Sequence, residues 1–258
     1  SSGGKSRKYK GISSESLDPL GNNVPFYNPR EIWQKYLKSK GGTTMGGKKG
    51  SDTKVKFLPL IQSSEEYKEV VGFFRKTCRK IILKVEAVKS PIRLGYYNFK
   101  KQLFHQILGS KRLNERWVWH GTAAETIQMI AHQGFLRQFM VESHVGKGVC
   151  FSSNATAAAE RSEADRLRER RMFLCRAIVG SYHEGYKGCI LPDVKPGKRF
   201  EVHESVVDSI RKPTFFVLFQ DDQAYPEYCI TFKDEEIEEK EEKGLNIQRP
   251  RIRFRILD

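Results

Sequence analysis

The sequence predicts an α+β fold built on a mixed or antiparallel sheet, and three observations carry that prediction. In the first half of the folded part, amphipathic helix periods alternate with half-buried strand periods. The second half is strand-like almost throughout, its strands separated by Gly, Pro or Asp turns. A chain of 258 residues with 38% hydrophobic content buries one sizeable core and leaves room for an appendage.

Residues 1–54 are rich in Gly, Ser and Lys and read as a flexible basic linker with at most one short helix, around residues 29–37. The domain proper is assigned to residues 55–258, because apolar residues recur at defined periods from Phe57 onward. Ser63 and Glu66 form a capping box, after which Tyr67, Val70, Val71 and Phe74 share one helix face. Leu83, Val85 and Ala87 then alternate with Lys84 and Glu86 in a strand over residues 81–88. Pro91 starts a second helix carrying Phe99, Leu103 and Ile107.

Trp117 to Trp119 make a short strand that runs into His120-Gly121-Thr122, and Thr122 with Glu125 forms another capping box. The helix that follows turns Ile127 and Ile130 inward and stops near Gly134. After a loop to Lys147 comes Gly148-Val149-Cys150-Phe151, and Asn154 then caps an alanine-rich helix running to about Leu167. Strands follow at residues 172–179, 205–209, 215–219 and 227–232. The acidic run 234–242 reads as a solvated turn, and Ile252, Phe254 and Ile256 alternate with Arg251, Arg253 and Arg255 in a last strand.

Composition excludes several classes of function. A mean hydropathy of -0.57 and the lack of a long apolar run exclude a membrane span, while 16 Phe, 10 Tyr and 3 Trp exclude wholesale disorder. The 46 Lys and Arg against 31 Asp and Glu leave +15 and a pI near 9.6, a balance that favours nucleic acid or nucleotide phosphates as partners. Roughly half of that excess lies in the first fifty-odd residues. The cysteines, Cys78, Cys150, Cys175, Cys189 and Cys229, are odd in number and widely spaced. Neither they nor His105, His132, His144, His183 and His203 show disulfide or metal spacing, so no metal is expected. A reducing compartment, cytoplasm or nucleus, is expected.

Five ordered blocks carry the chemistry: the strand into His120-Gly121-Thr122; Gly146-Lys147-Gly148-Val149-Cys150-Phe151-Ser152-Ser153; Leu174 to Gly180; His203 to Asp208; and Gln223-Ala224-Tyr225-Pro226-Glu227-Tyr228 with its continuation to Phe232. Together they resemble the catalytic domain of the poly(ADP-ribose) polymerase family, the diphtheria-toxin-like ADP-ribosyltransferases, over about residues 57–232. The short mono-ADP-ribosylating branch is the nearest match. The resemblance implies two packed mixed or antiparallel sheets flanked by helices, NAD+ as co-substrate and no metal. It places His120, Cys150 and Phe215 at the catalytic positions and His120, Gly121, Thr122, Cys150, Phe151, Ala158 and Arg161 at the NAD+-binding ones.

By that resemblance His120 bonds the adenosine ribose and the Gly121 backbone clamps the nicotinamide carboxamide, with no side chain to hold the flat ring off. The remaining positions depart from the family. Cys150 stands for a tyrosine, a lost aromatic contact worth about 0.5–1.5 kcal/mol. Ala158 stands for a serine that donates to the carboxamide, unless a shift of the helix brings in Ser162. Arg161 stands for a stacking aromatic and opposes the cationic pyridinium unless it swings to a phosphate. Phe215 stands for the glutamate that activates an acceptor hydroxyl, so polymer synthesis is not expected. On the residues alone His120 also suits a helix-entry role, Cys150 a small core residue, Glu227 a strand-edge charge and residues 166–171 a solvated helix end.

The expectation is therefore a monomeric, NAD+-dependent mono-ADP-ribosyltransferase acting on a protein, on itself or on nucleic acid. The alternative is an inactive domain of the same fold serving as a protein- or RNA-binding scaffold.

Overall fold

The computed structural model describes residues 53–109, 112–137 and 143–236. The expected helix around residues 29–37, the linker up to residue 52 and the arginine-faced last strand lie outside the described residues. The elements are β1 (Lys56–Pro59), α1 (Glu65–Arg75), β2 (Lys80–Lys89), α2 (Pro91–Leu108), β3 (Glu115–Thr122), α3 (Thr126–Gln133), β4 (Val149–Ser152), α4 (Ala155–Ala159), β5 (Arg170–Ile178), β6 (Tyr182–Glu184), β7 (Ser205–Val207), β8 (Phe215–Leu218) and β9 (Ala224–Glu236).

The strands run in the order β1-β2-β9-β5-β3-β4-β8-β7-β6, antiparallel except for β6 beside β7. The two packed sheets expected from the sequence are thus one continuous ladder. They are recognisable as a five-stranded and a four-stranded part, because β3 and β4 meet at the single register position Trp119 to Ser152. By contrast β3 pairs with β5 at every position from Glu115 to Thr122. One core, with Val118, Ile130, Phe135, Phe151, Phe173 and Phe216, spans both parts; a second, with Phe74, Trp119, Met172, Leu174 and Ile230, lies beneath α1 and α4.

Local chemistry sets the element ends, and several differ from the sequence prediction. Ser64, not Ser63, caps α1, its Oγ accepting from Tyr67 N at 3.2 Å. On α2 the buried face is Gly95, Tyr97 and Phe104, while Ile107 is exposed. The cause is tertiary: Tyr97 Oη donates to Glu115 at 2.5 Å and its ring packs against Tyr225. The second capping box does not form. Thr122 stays in β3 opposite Arg171, its Oγ1 lies 2.5 Å from Thr126 Oγ1, and α3 begins only at Thr126.

Asn154 does cap α4, accepting from Thr156 N at 2.8 Å and Ala157 N at 3.3 Å, but the helix stops at Ala159 rather than near Leu167. Beyond it Asp165 Oδ1 accepts from Leu167 N and Glu169 N, and the Arg170 guanidinium donates to Ser162 O, folding the chain back into β5. Among the described residues no helix is long and apolar enough to cross a membrane.

Candidate active site

The split between β3 and β4 makes the site. Past Trp119 one edge of β3 remains bonded to β5, while the other has lost its strand partner, and His120 and Gly121 stand on that free edge. The His120 ring bridges the gap: Nδ1 lies 3.0 Å from the Cys150 carbonyl on β4. A carbonyl only accepts, so Nδ1 carries the proton. Phe135 and Phe151 pack on the ring, with centroids 5.0 and 5.2 Å away.

Burial, aided by the nearby Arg161 charge and opposed by the Cys150 carbonyl, pushes the His120 pKa down to about 4. The imidazole is therefore neutral at physiological pH. Its Nε2 is a bare acceptor with no hydrogen bond among the described residues. Such an atom accepts a hydrogen bond from a hydroxyl, as a ribose supplies.

Gly121 is required for a second reason besides access to a ring. A Cβ there would collide with the Ala158 carbonyl oxygen and stand 2.8 Å from both the Ala158 carbon and Ser162 Oγ, so α4 rests directly on the glycine. The Ala158 methyl is buried in the core beside Trp119, and only its carbonyl reaches β3. Ser162 is also buried and approaches Gly121, but its hydroxyl donates to Ala158 O at 3.3 Å.

Cys150, Arg161 and Phe215 converge on the far side of the cleft. Cys150 and Phe215 project from the paired strands β4 and β8 onto the same small cluster with Val217. The Arg161 guanidinium lies 4.6 Å from the Phe215 ring centroid, and the exposed His144 meets that ring edge-on at 5.9 Å. Burial raises the Cys150 thiol pKa, the Arg161 charge only partly offsetting it, so the group is a thiol and not a nucleophilic thiolate.

Two contributors are not among the expected site residues, although Asp208 closes one of the five blocks. Phe135, just past the Gly134 cap of α3, packs against His120. Asp208 Oδ1 accepts from Thr214 N at 2.8 Å and Phe215 N at 2.9 Å, fixing the entry to β8. Glu227 lies elsewhere, in an ion pair with Arg176 under Tyr97 and Tyr225. Arg170 and Arg171 of the 166–171 run pair with Asp234 and Asp165.

The site fits the halves of NAD+ unequally. A neutral imidazole acceptor beside a free strand edge suits a ribose hydroxyl and an amide, whereas the guanidinium over Phe215 is repelled by any cationic ring brought beside it.

An α+β sheet split in this way, with His-Gly on the free edge, agrees with the ADP-ribosyltransferase fold that the resemblance implies. The family model for the poly(ADP-ribose) polymerase catalytic domain matches residues 64–206, and the chain belongs to that family. Members use NAD+ as co-substrate. The chain is 33% identical over 182 residues to the human protein mono-ADP-ribosyltransferase PARP14, covering 68% of this chain and 10% of that protein. It is 32% identical over 230 residues to human protein mono-ADP-ribosyltransferase PARP12, covering 88% of this chain and 31% of that one. The chain thus spans less than a third of the length of these relatives.

Proposed function

We propose that this domain is a mono-ADP-ribosyltransferase that takes NAD+ as donor and passes one ADP-ribose to a protein, to itself or to a nucleic acid, without building chains. The observation that carries the proposal is His120, held neutral by burial and oriented by the Cys150 carbonyl, with Nε2 bare beside Gly121 at the split in the sheet. In this reading Nε2 accepts from the adenosine ribose and the Gly121 backbone holds the carboxamide. The bond from the ribose C1′ to nicotinamide breaks with its electron pair passing to the ring, which becomes neutral. The acceptor's own O or N then bonds to C1′ and gives its proton to solvent.

Chain growth requires a base for a ribose hydroxyl, and Phe215 supplies none. The nearby Asp208 carboxylate already accepts two backbone N–H groups. The five free thiols suit work in the cytoplasm or nucleus.

Labelled NAD+ in an automodification assay is the test. The expected result is a single-residue adduct in the wild type and its loss in His120→Gln, which keeps a polar group in the cleft. Equal labelling of the two proteins, or equal absence of it, refutes transferase activity at this site. Polymeric product refutes the mono assignment. One observation favours the second reading, an inactive domain of the same fold serving as a protein- or RNA-binding scaffold: the Arg161 guanidinium lies over Phe215, where by the resemblance the donor ring belongs. That reading predicts weak or no NAD+ binding and no nicotinamide released.

A further inference from the structure

Arg161 lies just past the end of α4, its backbone N–H donating to Ala158 O at 3.1 Å, its guanidinium laid on the Phe215 ring. The side chain is solvent-exposed and has no carboxylate partner among the described residues. Among the described residues the groups nearest to it are the His120 imidazole, the Cys150 thiol and the Phe215 ring, with His144 edge-on beyond. The Asp208 carboxylate, whose charge reaches Cys150, is bonded to the β8 backbone and forms no ion pair with Arg161. Among the described residues the Arg161 guanidinium thus has no ion-pair partner, and its positive charge lies over Phe215, where the resemblance puts the nicotinamide side of the site.

We propose that Arg161 makes this site charge-selective, so that dinucleotides with a neutral ring or none, NADH and ADP-ribose, bind more tightly than NAD+. The inference rests on the assignment of the cleft as the NAD+ site. NAD+ and NADH share the adenosine, both riboses, the diphosphate and the carboxamide, and differ at the ring by one positive charge. A like charge beside the guanidinium in a half-solvated site corresponds to about tenfold in binding constant. The discrimination shrinks as salt rises, because part of the path between the charges is water.

Isothermal calorimetry of the whole chain with NAD+, NADH and ADP-ribose tests this, on the wild type, Arg161→Gln and Arg161→Lys. The expected result is wild-type binding of NADH and ADP-ribose about tenfold tighter than NAD+. Arg161→Gln brings NAD+ level with NADH, and Arg161→Lys, which keeps the charge, keeps the difference. Equal wild-type affinity for NAD+ and NADH overturns the proposal while leaving the site assignment intact. If Arg161→Gln weakens all three ligands alike, the guanidinium serves the diphosphate and the proposal fails. Binding of none of the three refutes the site assignment itself.

Discussion

Replacing Gly121 by Ala separates the two reasons for a glycine at this position. If the residue serves only to admit a flat ligand, the methyl group costs ligand affinity and nothing else. The structure demands more, because the added Cβ collides with the Ala158 carbonyl oxygen and stops about 0.6 Å short of ordinary contact with the Ala158 carbon and Ser162 Oγ. Relief requires the end of α4 to lift off β3. That movement disturbs the bonds that Ala158 O accepts from Arg161 N and Ser162 Oγ. Overpacking against backbone lies at the upper end of the usual range, about 3 kcal/mol, which for a domain of this size lowers Tm by about 6–12 °C. Differential scanning calorimetry without ligand measures it directly. Ser162→Gly, added to the Ala variant, restores little, since the main obstacle is a peptide carbonyl. A Tm within about 1 °C of wild type would refute the reasoning and return the glycine to a purely ligand-binding role.

Three further outcomes follow from the buried groups. The His120 pKa of about 4 lies below its ordinary 6.5, so the unfolded chain binds the extra proton between those values. His120 therefore makes stability fall as pH drops from 6.5 to 4, by about 3 kcal/mol. Urea titrations of wild type and His120→Gln at pH 4 and 7 check this, and a stability difference constant with pH would contradict it. Arg176→Met leaves the Glu227 carboxylate, whose pKa burial already raises, without its ion-pair partner. The loss is about 3–5 kcal/mol at pH 7 and shrinks as pH falls and the unpaired carboxylate takes a proton; a loss in urea titrations that does not change with pH would mean Glu227 keeps one protonation state throughout. Burial raises the thiol pKa of Cys78, Cys150, Cys175, Cys189 and Cys229 alike. Iodoacetamide at pH 7.5 is therefore expected to label the native protein at least about tenfold more slowly than the unfolded one. Rapid labelling of Cys150 would instead reveal a thiolate in the cleft.

The parts of the fold legible in the sequence are those whose burial follows from their own residues. The α1 face is one: Val70 and Phe74 recur at helical spacing and both are fully buried. The apolar run from Met172 to Cys175 is another, buried at every position because β5 lies between β3 and β9. What is not legible depends on distant partners. The buried face of α2 turns on the bond from Tyr97 to Glu115, and Leu83, apolar in an alternating strand, lies largely exposed near the irregular pairing of β2 with β9. The strand order, in which β9 enters between β2 and β5, has no local signature.

The candidate site divides along the same line. His120 and Gly121 are readable because a strand, a glycine and a helix must follow one another there in sequence. The character of the opposite wall is not, since it depends on where α4 ends. A helix running to Leu167 would place Arg161 on a helical surface, with its direction set by the helix period. Instead the chain leaves the helix at Ala159, drawn back by the Arg170 contact to Ser162 and the Asp165 turn, and Arg161 comes to lie on Phe215. Arg170 and Asp165, which have no contact with His120 or Phe215 among the described residues, thereby hold the cation over the cleft. Substituting Arg170 should then loosen the discrimination between NAD+ and NADH without altering a single residue that faces either ligand.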